Sequence, residues 1–149
     1  MKRAIILRAA ERLSRHNLTG GVLMKQLSSY SSQSYALMRI VVGFLFLWHG
    51  MQKLFGIPSA MPAGVPDLII YGAGPIELVG GVLVMIGLFT RWSAFLASGL
   101  MAFAYWMAHG TKAVLPIQNG GELAAVYCFV FLYISTKGGG IWSVDAARK

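Results

Sequence analysis

The sequence predicts an all-α protein, an integral membrane four-helix bundle that follows a basic N-terminal segment. Of its 149 residues, 56% are hydrophobic and only 12% are charged, whereas a soluble domain usually carries about 25% charged residues. Four apolar segments of helical length follow residue 34, and most of the basic residues lie outside them. These observations favour lipid as the solvent and divide the chain into residues 1–34 and a transmembrane domain at 35–146.

The four apolar segments cover residues 35–55, 68–89, 92–108 and 122–135. A helix needs about 20 residues to cross the hydrocarbon core of a bilayer. The first two segments reach that length, the third is close to it, and the fourth reaches it only if residues 119–122 form its first turn. A soluble bundle of this size would not be apolar on nearly every face of four helices, so we predict four transmembrane helices.

The basic residues predict the orientation of these helices. They occupy the N-terminal segment, the short turn between the second and third helices, and the C-terminal tail, whereas the other two connections offer only Lys53 and Lys112 at their edges. Because positive charge is retained on the cytoplasmic side of a membrane, both termini are predicted to be cytoplasmic. The first and third connections then face outward.

The N-terminal segment is the main source of the net charge of +8. Residues Ala4–Leu18, "AIILRAAERLSRHNL", could lie as an amphipathic helix on anionic lipid, or could form a disordered basic leader that enforces orientation. Both interpretations stay open. The basic residues form no aromatic and basic surface of the kind that reads nucleic acid, so no nucleic-acid partner is predicted.

Cysteine and metal chemistry are limited by the composition. Cys128 is the single cysteine, which excludes an intrachain disulfide, a Cys-x-x-Cys redox pair and a cysteine-based zinc site. The histidines show no close spacing such as His-x-x-His and no His-Glu-x-x-His motif, so no metal site is predicted. Any dithiol chemistry would require a partner subunit or a second copy of the chain.

The two halves of the apolar region resemble each other. The first helix ends in "HGMQK" (His49–Lys53) and the third in "HGTK" (His109–Lys112), while the second opens with "GPIEL" (Gly74–Leu78) and the fourth with "NGGEL" (Asn119–Leu123). The order of these matches predicts a duplicated helical hairpin, with the halves related by an axis along the membrane normal. Chance similarity at glycine-rich helix ends is the alternative.

A layer of polar residues follows from this topology, because the first and third helices end where the second and fourth begin. Ionisable groups at membrane depth are costly unless they are paired or hydrated, so they normally face the interior of a bundle. We therefore predict a polar pocket at the outer side. Its candidate members are His49, Gln52, Lys53, Glu77, His109, Lys112, Asn119 and Glu122.

Each member of this layer also has a structural explanation. Glu77 stands three residues after Gly74, and Glu122 stands three residues after Asn119, so either carboxylate could satisfy backbone donors at a helix start. The two lysines could extend to the lipid headgroups. Capping does not explain two histidines at matching positions, which favours a pocket. A charge-paired structural clasp remains a third interpretation.

Arg39 lies about one turn into the first helix, on the cytoplasmic side. Helical spacing places it near one face with Gly43, Phe46, Gly50 and Lys53. The glycines on this face allow close helix approach, as do Gly80, Gly81 and Gly87 on the second helix. We predict that this face points into the bundle and that Arg39 is functional or part of a hydrogen-bond network.

Three segments together resemble the DoxX family of small four-helix bacterial membrane proteins. They are "RIVVGFLFLWHGMQKLFG" from Arg39, "PIELVGGVLVMIGLFTRWSA" from Pro75 and "NGGELAAVYCFVFLYISTKGGGIWSVDA" from Asn119, and with the third helix the resemblance covers about residues 35–146. The resemblance implies a multi-pass protein of the bacterial inner membrane. Some DoxX relatives are linked to thiosulfate:quinone oxidoreductase activity or to membrane redox complexes. The positions that match the family pattern are Arg39, His49, Gly50, Lys53, Glu77, Gly80, Gly81, Arg91, Asn119, Gly120 and Glu122.

We therefore predict the membrane subunit of a redox system that handles a quinone or a small reductant. One of the histidines would donate a hydrogen bond to a quinone oxygen, one of the glutamates would relay a proton, and Lys53 and Arg39 would keep the carboxylates ionised. No catalytic residue is assigned, and whether the protein is an enzyme stays open. The predicted binding residues are Arg39, His49, Lys53, Glu77, His109, Asn119 and Glu122.

The predicted partners are the lipid bilayer, a soluble or membrane redox subunit and a second copy of the chain. The alternative function is a non-enzymatic membrane protein that transports a solute or binds a partner during assembly, since a duplicated hairpin with a buried charged site suits that class equally well.

Overall fold

The computed structural model describes residues 24–148, which contain helices and no β-strand. This confirms the predicted all-α class for that part of the chain. The chain divides into two compact units, Met1–Ser34 and Tyr35–Lys149. In the first unit residues 24–29 are helical, and the amphipathic helix predicted at Ala4–Leu18 lies outside the described residues.

Six helices follow residue 30. Helices α1, α2, α3 and α5 correspond to the four predicted apolar segments, and two of them contain π-helical turns. They are α1, Ser31–Phe55; α2, π-helical over Leu68–Ala73 and α-helical over Gly74–Ile86; α3, Thr90–Tyr105, which continues as a π-helix over Trp106–Gly110; α4, Pro116–Asn119; α5, Glu122–Lys137; and α6, Val144–Ala147.

The turn between α2 and α3 comes earlier than the sequence predicts. Gly87 and Phe89 both take left-handed backbone conformations, with φ of 72° and 49°. A left-handed residue ends a helix by reversing the chain direction, so α2 stops at Ile86 and α3 starts at Thr90. The predicted segments extend instead to residue 89 and begin at residue 92.

Two helices, α1 and the full-length α2 (Leu68–Ile86), are long and apolar enough to cross a membrane. Only 33% of the most apolar window of α1 and 28% of that of α2 are buried inside the protein. Most of their apolar surface therefore has no protein neighbour within the described residues.

The first two helices are in contact through their backbones. A Cβ atom added at Gly43 would lie 2.7 Å from the Gly81 carbonyl oxygen, and one added at Gly50 would lie 2.7 Å from that of Gly74. The two contacts are seven residues apart on both antiparallel helices, so glycine recurs at the points of closest approach. This confirms the close approach predicted for Gly43, Gly50 and Gly81. The same prediction is wrong for Gly80, where an added Cβ meets no atom within 4 Å.

The buried face of α1 is also the predicted one, since Arg39, Gly43, Phe46 and Gly50 are all buried. The Phe46 ring lies 4.6 Å from the Phe131 ring of α5, measured between ring centroids. This contact joins α1 to α5 across the core.

Helices α3 and α5 pack through small side chains on α3. The buried face of α3 includes Ser93, Ala94, Ala97 and Ser98, and the Ser98 hydroxyl donates a hydrogen bond of 2.8 Å to the Cys128 carbonyl oxygen of α5. Small residues let helix backbones approach closely in apolar surroundings. The half-buried Cys128 therefore has a packing role at this contact.

At the end of the bundle where α1 begins, Arg39 caps the C-terminus of α2. The guanidinium is fully buried. Its Nη1 donates to the carbonyl oxygens of Val84 and Met85, both at 2.7 Å, and its Nη2 donates to that of Trp142 at 2.6 Å. The last carbonyls of a helix have no partner within the helix, and a cation there is favourable. Arg39 is thus part of a network, as predicted.

Arg91 caps α5 in the same way, and Asp145 caps the start of α3. Arg91 donates to the carbonyl oxygens of residues 135–137. The Asp145 carboxylate accepts hydrogen bonds of 2.9 Å from the backbone N–H groups of Phe89 and Thr90, and one of 2.7 Å from the Thr90 hydroxyl. We call Arg39, Arg91 and Asp145 the arginine end.

The hydrogen bonds to Asp145 lower the pKa of its carboxyl group. Desolvation acts to raise its pKa, but the hydrogen bonds from Thr90 and Phe89 outweigh it, so that the pKa lies below its ordinary value. A carboxyl group with a lowered pKa in the folded state stabilises that state while it is ionised.

We expect Asp145→Asn to lower the stability of the purified protein at pH 7 by about 1 kcal/mol, the usual value of a helix cap. The stabilisation by Asp145 is complete above its unfolded-state pKa of about 3.9 and is lost as the pH falls through its lower folded-state pKa. The difference between wild type and variant should therefore shrink below about pH 4. Thermal unfolding in detergent from pH 7 to pH 3 measures it. Asp67→Asn is the control, since Asp67 makes no capping hydrogen bond; a difference that does not change with pH would contradict the role given to Asp145.

We expect Gly81→Ala to destabilise the protein by about 1–3 kcal/mol, the usual cost of overpacking. The added Cβ would lie 2.6 Å from the Leu47 backbone nitrogen, and neither backbone can yield without separating α1 from α2. Gly99→Ala is the matched control, because a Cβ added at the exposed Gly99 meets no atom within 4 Å. Equal thermal stability of the two variants would show that the helices do not touch at Gly81.

Candidate functional site

The site begins with an ion pair between α1 and α2. The Lys53 ammonium donates a hydrogen bond of 2.6 Å to Oε2 of Glu77, and the two side chains are only 13% and 4% exposed. It is the one ion pair among residues 24–148. The glycine contacts at Gly50 and Gly74 bring the two helices close enough for this bond to span them.

Glu77 does not cap a helix. Gly74 has right-handed helical angles, φ −52° and ψ −50°, and its N–H group donates to the carbonyl oxygens of Ile69 and Ile70. The helix therefore runs through Gly74 from Leu68, and Glu77 lies about 13 Å along it, at 1.5 Å per residue. Glu77 and Lys53 bind each other, which rules out both capping by Glu77 and extension of Lys53 to the headgroups.

His49 and Tyr127 lie beside the ion pair. His49 is four residues before Lys53 on α1, and its ring meets the Tyr127 ring of α5 edge-on, with 6.0 Å between centroids. Tyr127 is buried and stacks on Phe131. We call His49, Lys53, Glu77 and Tyr127 the lysine–glutamate group. Tyr127 is missing from the sequence prediction, although its spacing of four and seven residues from the buried Phe131 and Ile134 marks the inner face of α5.

Several polar atoms of the lysine–glutamate group have no hydrogen-bond partner within residues 24–148. They are Oε1 of Glu77, the Tyr127 hydroxyl and both ring nitrogens of His49. Among the fully buried side-chain nitrogen and oxygen atoms of residues 24–148, only Gln33 Oε1 and Arg39 Nε have no partner, so the unpartnered atoms of the lysine–glutamate group retain some accessible surface. These atoms are therefore available to a bound molecule.

A second polar group joins the end of α3 to the start of α5, and we call its members Tyr105, His109 and Asn119 the histidine–asparagine group. His109 Nδ1 lies 2.9 Å from the Asn119 carbonyl oxygen. Because a carbonyl oxygen can only accept, Nδ1 carries the proton in this bond. The Asn119 amide nitrogen donates to the Tyr105 hydroxyl at 3.2 Å and to the Ala113 carbonyl oxygen at 2.9 Å.

The capping box predicted for Asn119 and Glu122 is wrong. Asn119 ends the short helix α4, and its Oδ1 accepts a hydrogen bond of 2.7 Å from the Gly121 N–H group. Glu122 is the first residue of α5 and is exposed. The asparagine therefore shapes the connection between the helices and does not cap α5.

The two groups lie at the same end of the bundle, because α1 and α3 end there and α2 and α5 begin there. Arg39 is at the other end, about 21 Å from Lys53 along α1. Its predicted role in keeping these carboxylates ionised is therefore wrong.

The matching residues of the two halves make different contacts. Lys112 and Glu122 are exposed and form no counterpart of the Lys53–Glu77 pair. His109 is held by a backbone carbonyl, whereas His49 meets an aromatic ring. The sequence similarity of the halves therefore does not extend to their polar contacts. Within residues 24–148, no three His, Cys, Asp or Glu side chains form a cluster that could hold a metal ion.

Comparison with known proteins gives a family match and several relatives. The DoxX family pattern matches residues 34–110, just over half of the chain. A Haemophilus influenzae protein, described as an "Uncharacterized protein", is 41% identical over 128 residues, which cover 82% of this chain and 96% of the relative. A Bacillus subtilis protein named "Putative oxidoreductase CatD" is 39% identical over 59 residues, which cover 37% of this chain and 44% of the relative. No solved structure matches the chain.

We expect Lys53→Met to destabilise the protein by roughly 3 kcal/mol, because it leaves the Glu77 carboxylate buried without its partner. The double variant Lys53→Met/Glu77→Leu should recover most of this loss, since an apolar pair can replace a buried ion pair. A double-mutant cycle by thermal unfolding in detergent measures the coupling. Lys112→Met is the control on the exposed lysine of the other half, and additive effects of the two single variants would refute the pairing.

Proposed function

The chain belongs to the DoxX family, and we propose that it is a multi-pass protein of the bacterial inner membrane that binds a quinone headgroup at the lysine–glutamate group. The protein then acts as the membrane subunit of a redox system. The observation that carries the proposal is the buried Lys53–Glu77 pair with unpartnered polar atoms around it.

Exposed apolar side chains support the membrane location. Large ones occur on every long helix, among them Tyr71 on α2, Trp92 on α3 and Phe129 on α5, which are 68%, 74% and 70% exposed. In water such a surface would promote aggregation, whereas in lipid it needs no cover. In this proposal α3 and α5 cross the membrane together with α1 and α2.

The positive charges support the orientation. Three basic residues lie at the arginine end of the bundle. Arg91 caps α5, Lys137 is the last residue of α5, and Arg148 directly follows α6. Basic residues are retained on the cytoplasmic side, so the arginine end and both termini face the cytoplasm. The lysine–glutamate group then lies toward the outer side of the membrane.

The energetics of the ion pair favour a functional role. A buried ion pair seldom adds net stability over a well-packed apolar pair, and ionisable residues inside a membrane usually mark a binding site or a proton path. Arg39 differs, because backbone carbonyls, two of them at the end of α2, already accept hydrogen bonds from its two Nη atoms. The lysine–glutamate group instead leaves acceptors and a hydroxyl donor unused.

The group has the chemistry that a quinone requires. Reduction of a quinone to a quinol adds two electrons and two protons. The Tyr127 hydroxyl and the Lys53 ammonium can each donate a hydrogen bond to a quinone oxygen, and Glu77 and His49 can carry protons to it. The adjacent rings of Tyr127 and Phe131 suit a planar headgroup.

The electrons come from a reduced partner protein or a small reductant, because one cysteine cannot cycle as a dithiol. The name of the Bacillus subtilis relative, which describes an oxidoreductase, supports this redox role.

We expect the purified protein to bind a fully substituted quinone, 2,3-dimethoxy-5-methyl-6-decyl-1,4-benzoquinone, with a saturable quench of its tryptophan fluorescence. Glu77→Gln should weaken binding at least tenfold, about 1.4 kcal/mol, because the amide cannot replace the charge that orders the site. His49→Ala should slow the reduction of this quinone by membranes from cells that produce the protein.

Glu122→Gln is the control for Glu77→Gln, since Glu122 is the exposed glutamate at the corresponding position of the other half. Absence of saturable binding by the wild type, or equal binding by Glu77→Gln, would refute the proposal. Loss of thermal stability in Glu77→Gln with unchanged binding would identify the pair as a structural clasp. Binding without any reduction in membranes would favour transport or assembly.

A further inference from the structure

Gly80 borders unfilled space inside the bundle. It is buried on α2, three residues after Glu77 and four before Val84, a spacing that puts all three on one face. Val84 belongs to the core, so this face points into the bundle. A Cβ added at Gly80 meets no atom within 4 Å, whereas one added at the next residue, Gly81, would lie 2.6 Å from the Leu47 backbone nitrogen.

An unfilled space at this position costs free energy. Ordinary contacts of a Cβ atom lie at 3.4–4 Å, so a methyl group at this position would contact no neighbouring atom. Protein interiors are normally close-packed, and a glycine in a helix interior costs about 1 kcal/mol relative to alanine. Alanine would both fill the space and strengthen the helix. The requirement that keeps glycine here is therefore not packing.

The space lies next to unpartnered polar atoms. Glu77 is nine-tenths buried or more, and its Oε1 has no hydrogen-bond partner within residues 24–148. Tyr127, equally buried, lies with its ring 6.0 Å from that of His49, and its hydroxyl has no partner there either. An apolar space with a polar rim of this kind has the form of a small-molecule site.

We infer that the space at Gly80 receives a ring substituent of the quinone held at Glu77, so that Gly80 determines which quinones bind. The inference rests on the proposed function for the identity of the ligand. The headgroup oxygen meets the lysine–glutamate group, and an adjacent methoxy or methyl substituent lies over Gly80. The ligand class is a para-quinone that carries such substituents beside its carbonyl group.

The test compares two quinones on wild type and Gly80→Ala. The dimethoxy-methyl-decyl benzoquinone and tetramethyl-1,4-benzoquinone both have fully substituted rings, so neither adds to Cys128. We expect Gly80→Ala to raise the Kd of the dimethoxy quinone at least tenfold and that of the tetramethyl quinone less, because a methyl group is smaller than a methoxy group. Its thermal stability should equal or exceed that of wild type.

Gly99→Ala is the matched control, because Gly99 also has open space at its Cβ position but is exposed; it should leave both affinities unchanged, with stability equal to or above that of wild type. If Gly80→Ala binds both quinones like wild type while Glu77→Gln loses binding, the inference fails and the proposed function stands. If Gly80→Ala does not fold, the space is already filled and the inference fails. If wild type binds neither quinone, both fail.

Discussion

The backbone contact between α1 and α2 determines the positions of the buried charges. A Cβ atom added at Gly43, Gly50 or Gly81 would lie only 2.7–2.8 Å from a backbone carbonyl oxygen of the other helix. At this separation Lys53 can reach across to Glu77 at one end of the interface. At the other end, the same register brings Arg39 to the last carbonyls of α2. A wider interface would leave both cations without partners.

The charged side chains at the two ends of the bundle have different kinds of partner. Arg39 and Arg91 bind helix-end carbonyls, which have no partner within their helices and carry partial negative charge. For the buried Arg39 these bonds pair both Nη atoms, while its Nε has no partner. Arg91 is exposed, so its bonds only satisfy the carbonyls. Lys53 instead binds a second buried charge, Glu77, and an apolar pair could replace both. Retention of the ion pair calls for a reason beyond stability, and the proposed ligand binding would supply one.

The sequence predicts the helices and the inner face of α1 because both depend on local pattern. Apolar runs locate α1, α2, α3 and α5 to within a few residues, and helical spacing from Arg39 to Gly50 identifies the face that is buried. The partner of a polar side chain depends on contacts distant in the sequence. Asp145 binds the start of α3 more than 50 residues earlier, and no local pattern near Asp145 indicates it.

A capping motif in the sequence predicts the wrong helix start when the helix begins before the motif. Gly74 and Pro75 resemble a helix start, but π-helical turns from Leu68 precede them. Glu77 therefore lies well inside α2 and is free to pair with Lys53. Unfilled space cannot be read from sequence either: Gly80 and Gly81 are adjacent glycines, yet one borders a void and the other touches backbone. Only the positions of neighbouring helices distinguish them.

The two polar groups also differ in how many of their hydrogen-bonding atoms have partners. Asn119 uses both donors of its amide, on Tyr105 and Ala113, and its amide oxygen accepts from Gly121. Its backbone carbonyl holds His109. Within the described residues the amide of Asn119 is therefore fully paired and joins α3 to α5, and the His109 Nε2 atom is the ring nitrogen of this group without a partner. The lysine–glutamate group retains a carboxylate oxygen, a hydroxyl group and an imidazole without partners. The half that is less completely bonded is the one in which a molecule can bind.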